Sequence, residues 1–301
     1  MTDAILLVAH GSPETIDQLP EFLANIRRGR PTPPELVREV QRRYAAIGGR
    51  SPLLDTTREQ ARLLSERFGL PAFVAMRMWH PYLHETLRET AARGINRLLT
   101  IVMAPHSAFI YEAALRQAAR ELSAEGVSSP ELIVAPCIGD EPALIDTFAS
   151  LVREQLRDLD PRQRSSWVLL PSAHSLPMRT IEAGDPYPSL VEKTAHAVIE
   201  RLAGDALPSI LTFQSQGMTR EAWLGPDLPT VFERVKATGA KGVIVAPIGF
   251  LADHVETLYD LDIEARELAS EAGLELRRAR CPNTEPGLID ALEAVVRRMG
   301  R

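Results

Sequence analysis

Short runs of apolar residues alternate with longer amphipathic stretches along the whole chain. Helical patterns fill most of the segments between the apolar runs. This alternation predicts an α/β protein with parallel sheets and helices on both sheet faces. The predicted strands are Ala4–Ala9, Ala72–Met78, Arg97–Met103, Leu132–Pro136, Trp167–Leu170, Ser209–Phe213, Gly242–Ala246 and Leu274–Arg280.

The two halves of the chain share short stretches of sequence. The segment CIGDEPALID, which starts at Cys137, recurs as CPNTEPGLID from Cys281, 144 positions later. The first predicted strand of each half ends in Ala-His-x-x-Pro, at Ala9–Pro13 and at Ala173–Pro177. These matches predict a duplicated architecture of two similar Rossmann-like domains, each with a four-stranded parallel sheet flanked by helices.

The domain boundary is predicted in the polar segment DPRQRSS. We therefore place an N-terminal α/β domain at residues 1–160 and a C-terminal α/β domain at residues 161–301, whose last helix could pack back on the first domain. The first half carries 22 extra residues between its first and third strands. Much of this insertion is expected in NIRRGRPTPPE, residues 25–35, because its prolines and its glycine oppose regular structure.

Composition narrows the class of partner. The chain has 301 residues, of which 45% are hydrophobic, enough for two domain cores. A net charge of −6 gives no reason to expect a nucleic-acid or anionic-membrane partner. No apolar run near either end approaches the roughly 20 residues that span a bilayer, and no basic leader precedes the first strand. We therefore expect a cytoplasmic protein with a small-molecule partner.

A row of carboxylates follows the seventh predicted strand, on a predicted helix over residues 253–273. Glu256, Asp260 and Glu264 are four residues apart and so share one side of that helix. Like charges at this spacing weaken a helix by roughly 0.2–0.5 kcal/mol per pair, which favours a role in binding a cation or moving protons. The alternative is a solvated acidic face with a capping box from Asp253 to Glu256, and His254 is interpreted as a helix-start or packing residue.

A histidine lies between an apolar run and a turn in PSAHSLP, where Ser172 and Ser175 flank His174. An imidazole and carboxylates together can bind a divalent metal or collect protons near neutral pH. The alternative is a loop histidine that is hydrogen-bonded to a neighbouring hydroxyl or carbonyl group. No HExxH, P-loop, GxGxxG or GxSxG pattern occurs in the sequence, so zincin, nucleotide-hydrolysis, hydride-transfer and elbow-type hydrolase chemistry lose their usual support.

Four segments together resemble the ferrochelatases, enzymes that insert ferrous iron into a porphyrin during haem synthesis. The matching segments are SAHSLP followed by GDPYP, QSQGMTREAWLGPD, PIGFLADHVETLYDLD and IRRGRPTPPELVREVQRRYAAIGGRSPL. They occur in order over nearly the whole chain, and the last is similar to the porphyrin-side segment of the soluble bacterial branch. The resemblance implies a chelatase-like fold of two similar four-stranded domains, in agreement with the internal repeat.

The resemblance also implies roles for particular residues. By position, His174 and Glu256 correspond to the central metal-insertion residues and bind the metal, while Asp260 and Glu264 extend from them as a proton or metal relay. The residues that correspond to the porphyrin pocket are Arg27, Arg43, Tyr44, Ser51 and Ser215, to which we add His10. Arginine suits such a pocket because its planar fork can bind a propionate with two hydrogen bonds.

His10 departs from the pattern of the soluble bacterial ferrochelatases, which often have tyrosine there. The run AHGS instead resembles the smaller cobalt and sirohydrochlorin chelatases, in which this histidine is a metal ligand. We interpret His10 as a pocket residue that could serve as an axial ligand of product haem. A local structural hydrogen bond is the alternative.

The resemblance implies Fe²⁺ as a substrate, with porphyrin and haem as the small-molecule partners and no permanent prosthetic group. With only two cysteines an iron–sulfur cluster is not expected, and we expect a monomer. Two alternatives stay open: a chelatase for another metal or tetrapyrrole, such as cobalt and sirohydrochlorin, and a non-catalytic haem or porphyrin carrier. The sequence leaves open whether the porphyrin is coproporphyrin III or protoporphyrin IX.

Overall fold

The computed structural model describes residues 2–27, 29–217 and 221–300. Arg28 and residues 218–220, which fall within two of the four matching segments, lie outside the described residues. The strands of the described chain are β1 (Asp3–Ala9), β2 (Ala72–Met76), β3 (Arg97–Val102), β4 (Glu131–Val134), β5 (Trp167–His174), β6 (Thr212–Gln214), β7 (Gly242–Ala246) and β8 (Glu275–Arg278).

The strands form two all-parallel sheets with the same strand order. The first sheet has the order β2-β1-β3-β4, and the second has the order β6-β5-β7-β8. The matching order confirms the predicted α/β fold with two similar four-stranded parallel sheets. It also accounts for the repeated Ala-His-x-x-Pro, because β1 and β5, where this motif begins, occupy equivalent places in their sheets.

Helices connect the strands, as parallel crossovers require. In chain order they are α1 (Leu19–Ile26), α2 (Pro34–Ala46), α3 (Leu53–Phe68), α4 (Leu83–Ala92), α5 (Ala108–Ala124), α6 (Pro142–Glu154), α7 (Met178–Glu182), α8 (Tyr187–Arg201), α9 (Leu228–Ala237), α10 (Val255–Leu258), α11 (Ala265–Glu271) and α12 (Pro286–Met299). A π-helical turn, Asp260–Glu264, lies between α10 and α11. In the part of the chain that the structure describes, no helix has both the length and the apolar character to cross a membrane.

Every predicted strand overlaps an observed one, but the sixth was predicted at Ser209–Phe213 and lies at Thr212–Gln214, and β5 shows an informative difference. The predicted strand ended at Leu170, before a proline that cannot donate a ladder hydrogen bond. In the structure, β5 pairs with β7 as far as Pro171 and then pairs with β6 from Ser172 to His174. β5 lies between β6 and β7, so the strand continues beyond its proline because pairing persists on its β6 edge, and this continuation places His174 at the end of a sheet strand.

The chain divides into two compact units, after Ile138 and again before Asn283. The predicted boundary at residue 160 therefore lies within the second unit. The difference arises at α6, which follows β4 along the chain but packs on α8 of the second unit. The last helix, α12, belongs to the first unit, where it packs on α3 and β3.

Each sheet is covered on both faces. In the first unit, residues 4–8 of β1 are completely buried, and alternate side chains pack with α4 and α5. In the second unit, alternate residues of β5 and β7 pack with α9 and α11. Burial on both faces explains why these strands are continuous apolar runs. It also leaves the carboxyl ends of the strands as the place for polar chemistry.

Candidate active site

His174 is the last residue of β5, and local hydrogen bonds fix its ring. Its Nδ1 hydrogen-bonds to the backbone carbonyl of Ser175. The Tyr187 hydroxyl donates to the backbone carbonyl of His174 at 2.8 Å. Because Nδ1 is occupied by a carbonyl, Nε2 is the ring nitrogen that can face a metal or a carboxylate.

The carboxylate that Nε2 faces belongs to Glu256. The distance from His174 Nε2 to Glu256 Oε2 is 3.5 Å, and the two side chains are 33% and 34% exposed. The structure thus brings together the two residues that were predicted to form the centre of the site. Partial exposure leaves the pair accessible from solvent while backbone contacts hold it in place.

A second imidazole lies beside the same carboxylate. His254 Nε2 is also 3.5 Å from Glu256 Oε2, and the His254 side chain is only 15% exposed. His254 precedes the first residue of α10 and its ring lies 4.9 Å from that of Phe250, in agreement with its interpretation as a helix-start or packing residue, which did not include the contact with Glu256. Its position two residues before Glu256 was the feature of the sequence that could have indicated this contact. Among residues 2–27, 29–217 and 221–300, no group of three or more His, Cys, Asp or Glu side chains has the spacing of a metal site.

The pair is strongly coupled electrostatically. Burial lowers the pKa of His174, but the charge of Glu256 and the hydrogen bond to it outweigh that effect and raise the pKa to about 9. Burial acts to raise the pKa of Glu256, but the neighbouring imidazoles, with His174 the stronger, hold it well below its usual range. Without metal at neutral pH, His174 and Glu256 therefore form an imidazolium–carboxylate ion pair.

The serines that flank His174 have structural roles. The Ser172 hydroxyl donates to the side-chain oxygen of Gln214 at 2.6 Å, and Gln214 Nε2 donates to the backbone carbonyl of Glu256 at 2.8 Å. The Ser175 hydroxyl donates to the carbonyl of Leu224 at 2.7 Å. A chain of hydrogen bonds through Ser172, Gln214 and Glu256 thus connects β5 and β6 to residues 253–273, the segment that carries the carboxylate row and is called the acidic helix below.

The predicted helix over residues 253–273 is present, but it is not a continuous α-helix. The backbone amide of Glu264 donates to the carbonyl of Tyr259 at 3.0 Å, a five-residue step that belongs to a π-helix. This turn contains Asp260, which is 8% exposed, and ends at the half-buried Glu264. The negative charge of Asp260 contributes to the raised pKa of His174, so the two side chains interact electrostatically within one site.

Ser215 contacts the acidic row directly. Its hydroxyl donates to Asp260 Oδ2 at 2.5 Å. Its backbone has φ = +58°, a left-handed conformation that is uncommon for a residue other than glycine. Ser215 was predicted as a porphyrin-binding residue, and that role stays a prediction. The observed contact places it beside Asp260, one of the two carboxylates that were predicted to form a relay.

The capping-box alternative for the acidic row does not describe this helix. The helix begins at Val255, and the His254 amide donates to the Thr257 hydroxyl at 3.0 Å. Asp253 instead accepts hydrogen bonds from Thr257, at 3.0 Å, and from Arg278, at 2.8 Å. Glu256 therefore makes no capping box with Asp253, and its carboxylate faces His174 and His254 instead.

A glycine allows the loop after β7 to pack on the end of β5. A Cβ added to Gly249 would lie 2.9 Å from the Cβ and 3.0 Å from the Cα of Ala173, the residue before His174. The Gly249 amide donates to the Ser172 carbonyl at 3.2 Å. This close approach fixes the backbone that carries His174, and only glycine fits there without displacing it.

The remaining predicted porphyrin residues lie in the first unit and make local contacts. His10 follows β1 and is exposed, with its Nδ1 3.4 Å from the Tyr111 hydroxyl. Arg27 donates to the Pro31 carbonyl at 3.2 Å, and Arg43 donates to the Glu39 carboxylate at 3.0 Å. The Tyr44 side chain is buried, with 1% exposed. The Ser51 hydroxyl accepts a hydrogen bond from the Leu53 amide at 3.3 Å. Their predicted part in porphyrin binding stays a prediction.

The fold resembles that of the sirohydrochlorin chelatase SirB from Bacillus subtilis subspecies spizizenii in complex with cobalt, with a TM-score of 0.57 and 14% identity over 99% of this chain and 95% of that one. At that identity the likeness shows a chelatase fold.

Sequence relationships are closer. The ferrochelatase family model matches residues 2–299. A ferrochelatase from Herpetosiphon aurantiacus is 35% identical over 97% of this chain and 97% of its own length. A coproporphyrin III ferrochelatase from Geobacillus kaustophilus is 35% identical over 98% of this chain and 95% of its own length. The chain belongs to the ferrochelatase family, and it is an enzyme of haem synthesis that inserts iron into porphyrin.

Proposed function

We propose that His174 and Glu256 are the residues between which ferrous iron enters the porphyrin, and that Asp260 and Glu264 carry the released protons away. The observation that carries this proposal is the 3.5 Å separation of Nε2 and Oε2 at the end of β5. Two atoms at that distance can both bind one first-row divalent ion with bonds of about 2.1 Å, at an angle of about 110°. The other coordination positions of the ion then belong to water and the ring nitrogens.

The same pair handles protons. A free-base porphyrin loses two pyrrole protons when it takes up Fe²⁺, so a proton acceptor is needed beside the metal. Metal binding to His174 requires the neutral imidazole and therefore releases the proton of the imidazolium–carboxylate pair. Asp260, which shares the site's field, is the next acceptor along the helix, and Glu264 follows it at the end of the π-turn. His174 and Glu256 titrate as one coupled unit, so we assign iron binding and proton uptake to the pair and not to either residue alone.

Porphyrin binding is assigned by the same proposal to His10, Arg27, Arg43, Tyr44 and Ser51 in the first unit, together with Ser215. The guanidinium groups of Arg27 and Arg43 suit the propionates of the ring edge. Of this set His10 is exposed at the end of β1, where an imidazole can bind the iron of product haem. Walls that hold the ring bent would expose its nitrogen lone pairs and favour the transition state over the flat product.

The test is Glu256→Gln, which removes the charge with little change in size. We expect kcat for Fe²⁺ insertion to fall about 10²-fold or more, in the range for loss of a positioned proton-transfer group. Insertion is followed under anaerobic conditions by the visible spectrum of haem, and porphyrin affinity by fluorescence. Glu267→Gln, an exposed carboxylate on α11, is the matched control and should retain wild-type kcat. Near-normal turnover of Glu256→Gln would overturn the assignment of this pair.

The same assay separates the other candidates. Wild-type protein that binds porphyrin but forms no haem with Fe²⁺ would be a carrier. Insertion of cobalt into sirohydrochlorin in preference to iron into porphyrin would identify another chelatase. Coproporphyrin III has propionates at two positions where protoporphyrin IX has vinyl groups. The ratio of kcat/KM for the two porphyrins therefore identifies the physiological substrate.

A further inference from the structure

An arginine at the end of the last strand holds the backbone of the acidic helix. Arg278 is the final residue of β8, and its side chain is only 9% exposed. Its guanidinium donates two hydrogen bonds to the carboxylate of Asp262, from Nε at 2.6 Å and from a terminal nitrogen at 2.7 Å. The other terminal nitrogen donates to Asp253 Oδ1 at 2.8 Å. One cation therefore binds two carboxylates nine positions apart on the same segment.

Those two carboxylates bracket the residues that carry the chemistry. Asp253 lies just before α10, and Asp262 lies in the middle of the π-turn. Glu256 and Asp260 lie between them. Asp253 also accepts from the hydroxyl of Thr257, which is completely buried, so the start of the helix is fixed from both sides. A displacement of either carboxylate would move Glu256 or Asp260.

The π-turn matters for the alignment of the acidic row. In an α-helix four residues turn through about 400°, so residues spaced by four drift about 40° around the axis at each step. A turn closed by five-residue hydrogen bonds rotates less per residue and reduces this drift. The π-turn spans Asp260 to Glu264, the second step of the row. It therefore keeps Glu264 closer to the side of the helix that carries Glu256 than an α-helix would.

A π-turn is rare and persists where surrounding contacts stabilise it. Asp262 supplies such a contact, because its side chain is 29% exposed and accepts two charge-assisted hydrogen bonds from a single guanidinium. The planar fork of arginine fits this geometry, whereas the point charge of lysine does not.

We propose that Arg278 is a positioning residue for metal insertion, which acts by holding Asp253 and Asp262 so that the π-turn keeps Glu256, Asp260 and Glu264 aligned. This inference rests on the proposed function of the His174–Glu256 pair. Arg278 itself touches neither Glu256 nor His174 in the contacts described above; it acts through the backbone of the helix. Its loss should therefore impair turnover with little effect on porphyrin affinity.

The experiment compares Arg278→Lys with Arg277→Lys. Arg277 is the preceding residue of β8 and also donates two hydrogen bonds to one carboxylate, that of Asp158, which lies outside the acidic helix. The two variants thus remove the same kind of fork from neighbouring positions of one strand. For Arg278→Lys we expect kcat to fall about tenfold with porphyrin affinity within about twofold of wild type, since small misplacements of catalytic groups are costly. Arg277→Lys should retain wild-type kcat.

A coupling measurement distinguishes positioning from general stability. Asp262→Asn should lower kcat to a similar degree, and the double variant Arg278→Lys/Asp262→Asn should lose little more than either single variant, because both disrupt one contact. All values refer to protein shown to be folded by circular dichroism and thermal unfolding. If Arg278→Lys does not fold, Asp262→Asn, which preserves size, carries the test.

The outcomes separate the two proposals. Wild-type kcat in folded Arg278→Lys or Asp262→Asn, with a lowered melting temperature alone, would show a structural ion pair and overturn the inference. Glu256→Gln in the same assay reports on the proposed function independently. If Glu256→Gln is as active as wild type, the function assigned to the pair fails, whatever the result at Arg278.

Discussion

The segments that follow the third strand of each sheet show how the two units differ. In the first unit β3 leads into α5, an uninterrupted α-helix of 17 residues. In the second unit β7 leads into α10, which has only four residues, then the π-turn and α11. The two sheets have the same strand order, so the framework is duplicated while this connection is not. The comparison shows that Glu256, Asp260 and Glu264 lie in the connection that differs between the two units.

The first strands of the two sheets give a second contrast. Both end in Ala-His-x-x-Pro, yet their histidines have different surroundings. His10 lies 3.4 Å from the hydroxyl of Tyr111, whereas His174 faces the carboxylate of Glu256 at 3.5 Å. The carboxylate of Glu256 carries a charge that stabilises the imidazolium form of His174 and raises its pKa.

The largest expected effect separates these two histidines. His174→Ala should lower kcat for iron insertion by about 10²-fold or more, since it removes one member of the proposed insertion pair, while porphyrin binding remains detectable. His10→Ala should lower kcat less than about tenfold and instead change the visible spectrum of bound haem, since an axial ligand tunes the iron.

The readouts are stopped-flow formation of haem and absorbance spectra of the isolated haem complexes. His196→Ala, on the exposed surface of α8, serves as the control for both histidine variants. Equal losses at His10 and His174 would contradict the asymmetry between the two strand ends. An unchanged haem spectrum in His10→Ala would favour the local hydrogen bond to Tyr111 as its role.

A smaller effect is expected from Gly249→Ala, which tests whether the position of His174 matters without changing a titratable group. The added Cβ would lie 2.9 Å from Ala173 Cβ, so the end of β5 must shift and His174 with it. We expect about a tenfold loss of kcat in folded protein, because a shift of about 1 Å can cost up to 10²-fold. Gly204→Ala is the control, since no atom lies within 4 Å of its added Cβ. Equal activity of both variants would show that the loop tolerates the methyl group.

The smallest effect concerns stability against pH in metal-free protein. Folding raises the pKa of His174 from about 6.5 to about 9, so the folded state binds its proton more tightly than the unfolded chain does. The resulting stabilisation is complete below about pH 6.5 and is lost as the pH rises to about 9. Glu256 stays ionised over this window because its pKa is lowered.

Chemical denaturation of wild type and His174→Gln at several pH values measures this term. The difference in free energy of unfolding between the two proteins should shrink between pH 6.5 and 9. The same comparison with His196→Gln corrects for general effects of losing a histidine. A difference that stays constant or grows over this range would show that His174 is not held as an imidazolium by Glu256.

Much of the fold follows from local pattern. The eight strands could be placed because strands buried on both faces require continuous apolar runs, as in Ala4–Val8. The repeat of Cys137–Asp146 in the second half could be recognised directly from matching residues, and it follows the last strand of each sheet. The central pair of the site was predicted as well, but from motif resemblance, since spacing alone left a solvated acidic face open for Glu256.

The contacts that align the site could not be predicted, because they join residues far apart in sequence. Nothing near Arg278 indicates that it binds Asp253 and Asp262, and nothing near Ser215 indicates that it donates to Asp260. The π-turn was also missed, since four-residue spacing is compatible with an ordinary α-helix. The placement of α6 in the second unit was likewise beyond local patterns, whereas the last helix was expected to pack back on the first domain.

By itself the sequence determined the alternation of strands and helices and the two similar sheets, because apolar periodicity is a local property. The histidine and the carboxylates of the site were singled out by the resemblance of their motifs to a known family. Only the tertiary structure decided that Nε2 of His174 meets Glu256, that β5 continues past its proline, and that the acidic helix contains a π-turn. These features depend on strand pairing and on buried side-chain hydrogen bonds across the sheet, whose energies exist only when the chain is folded.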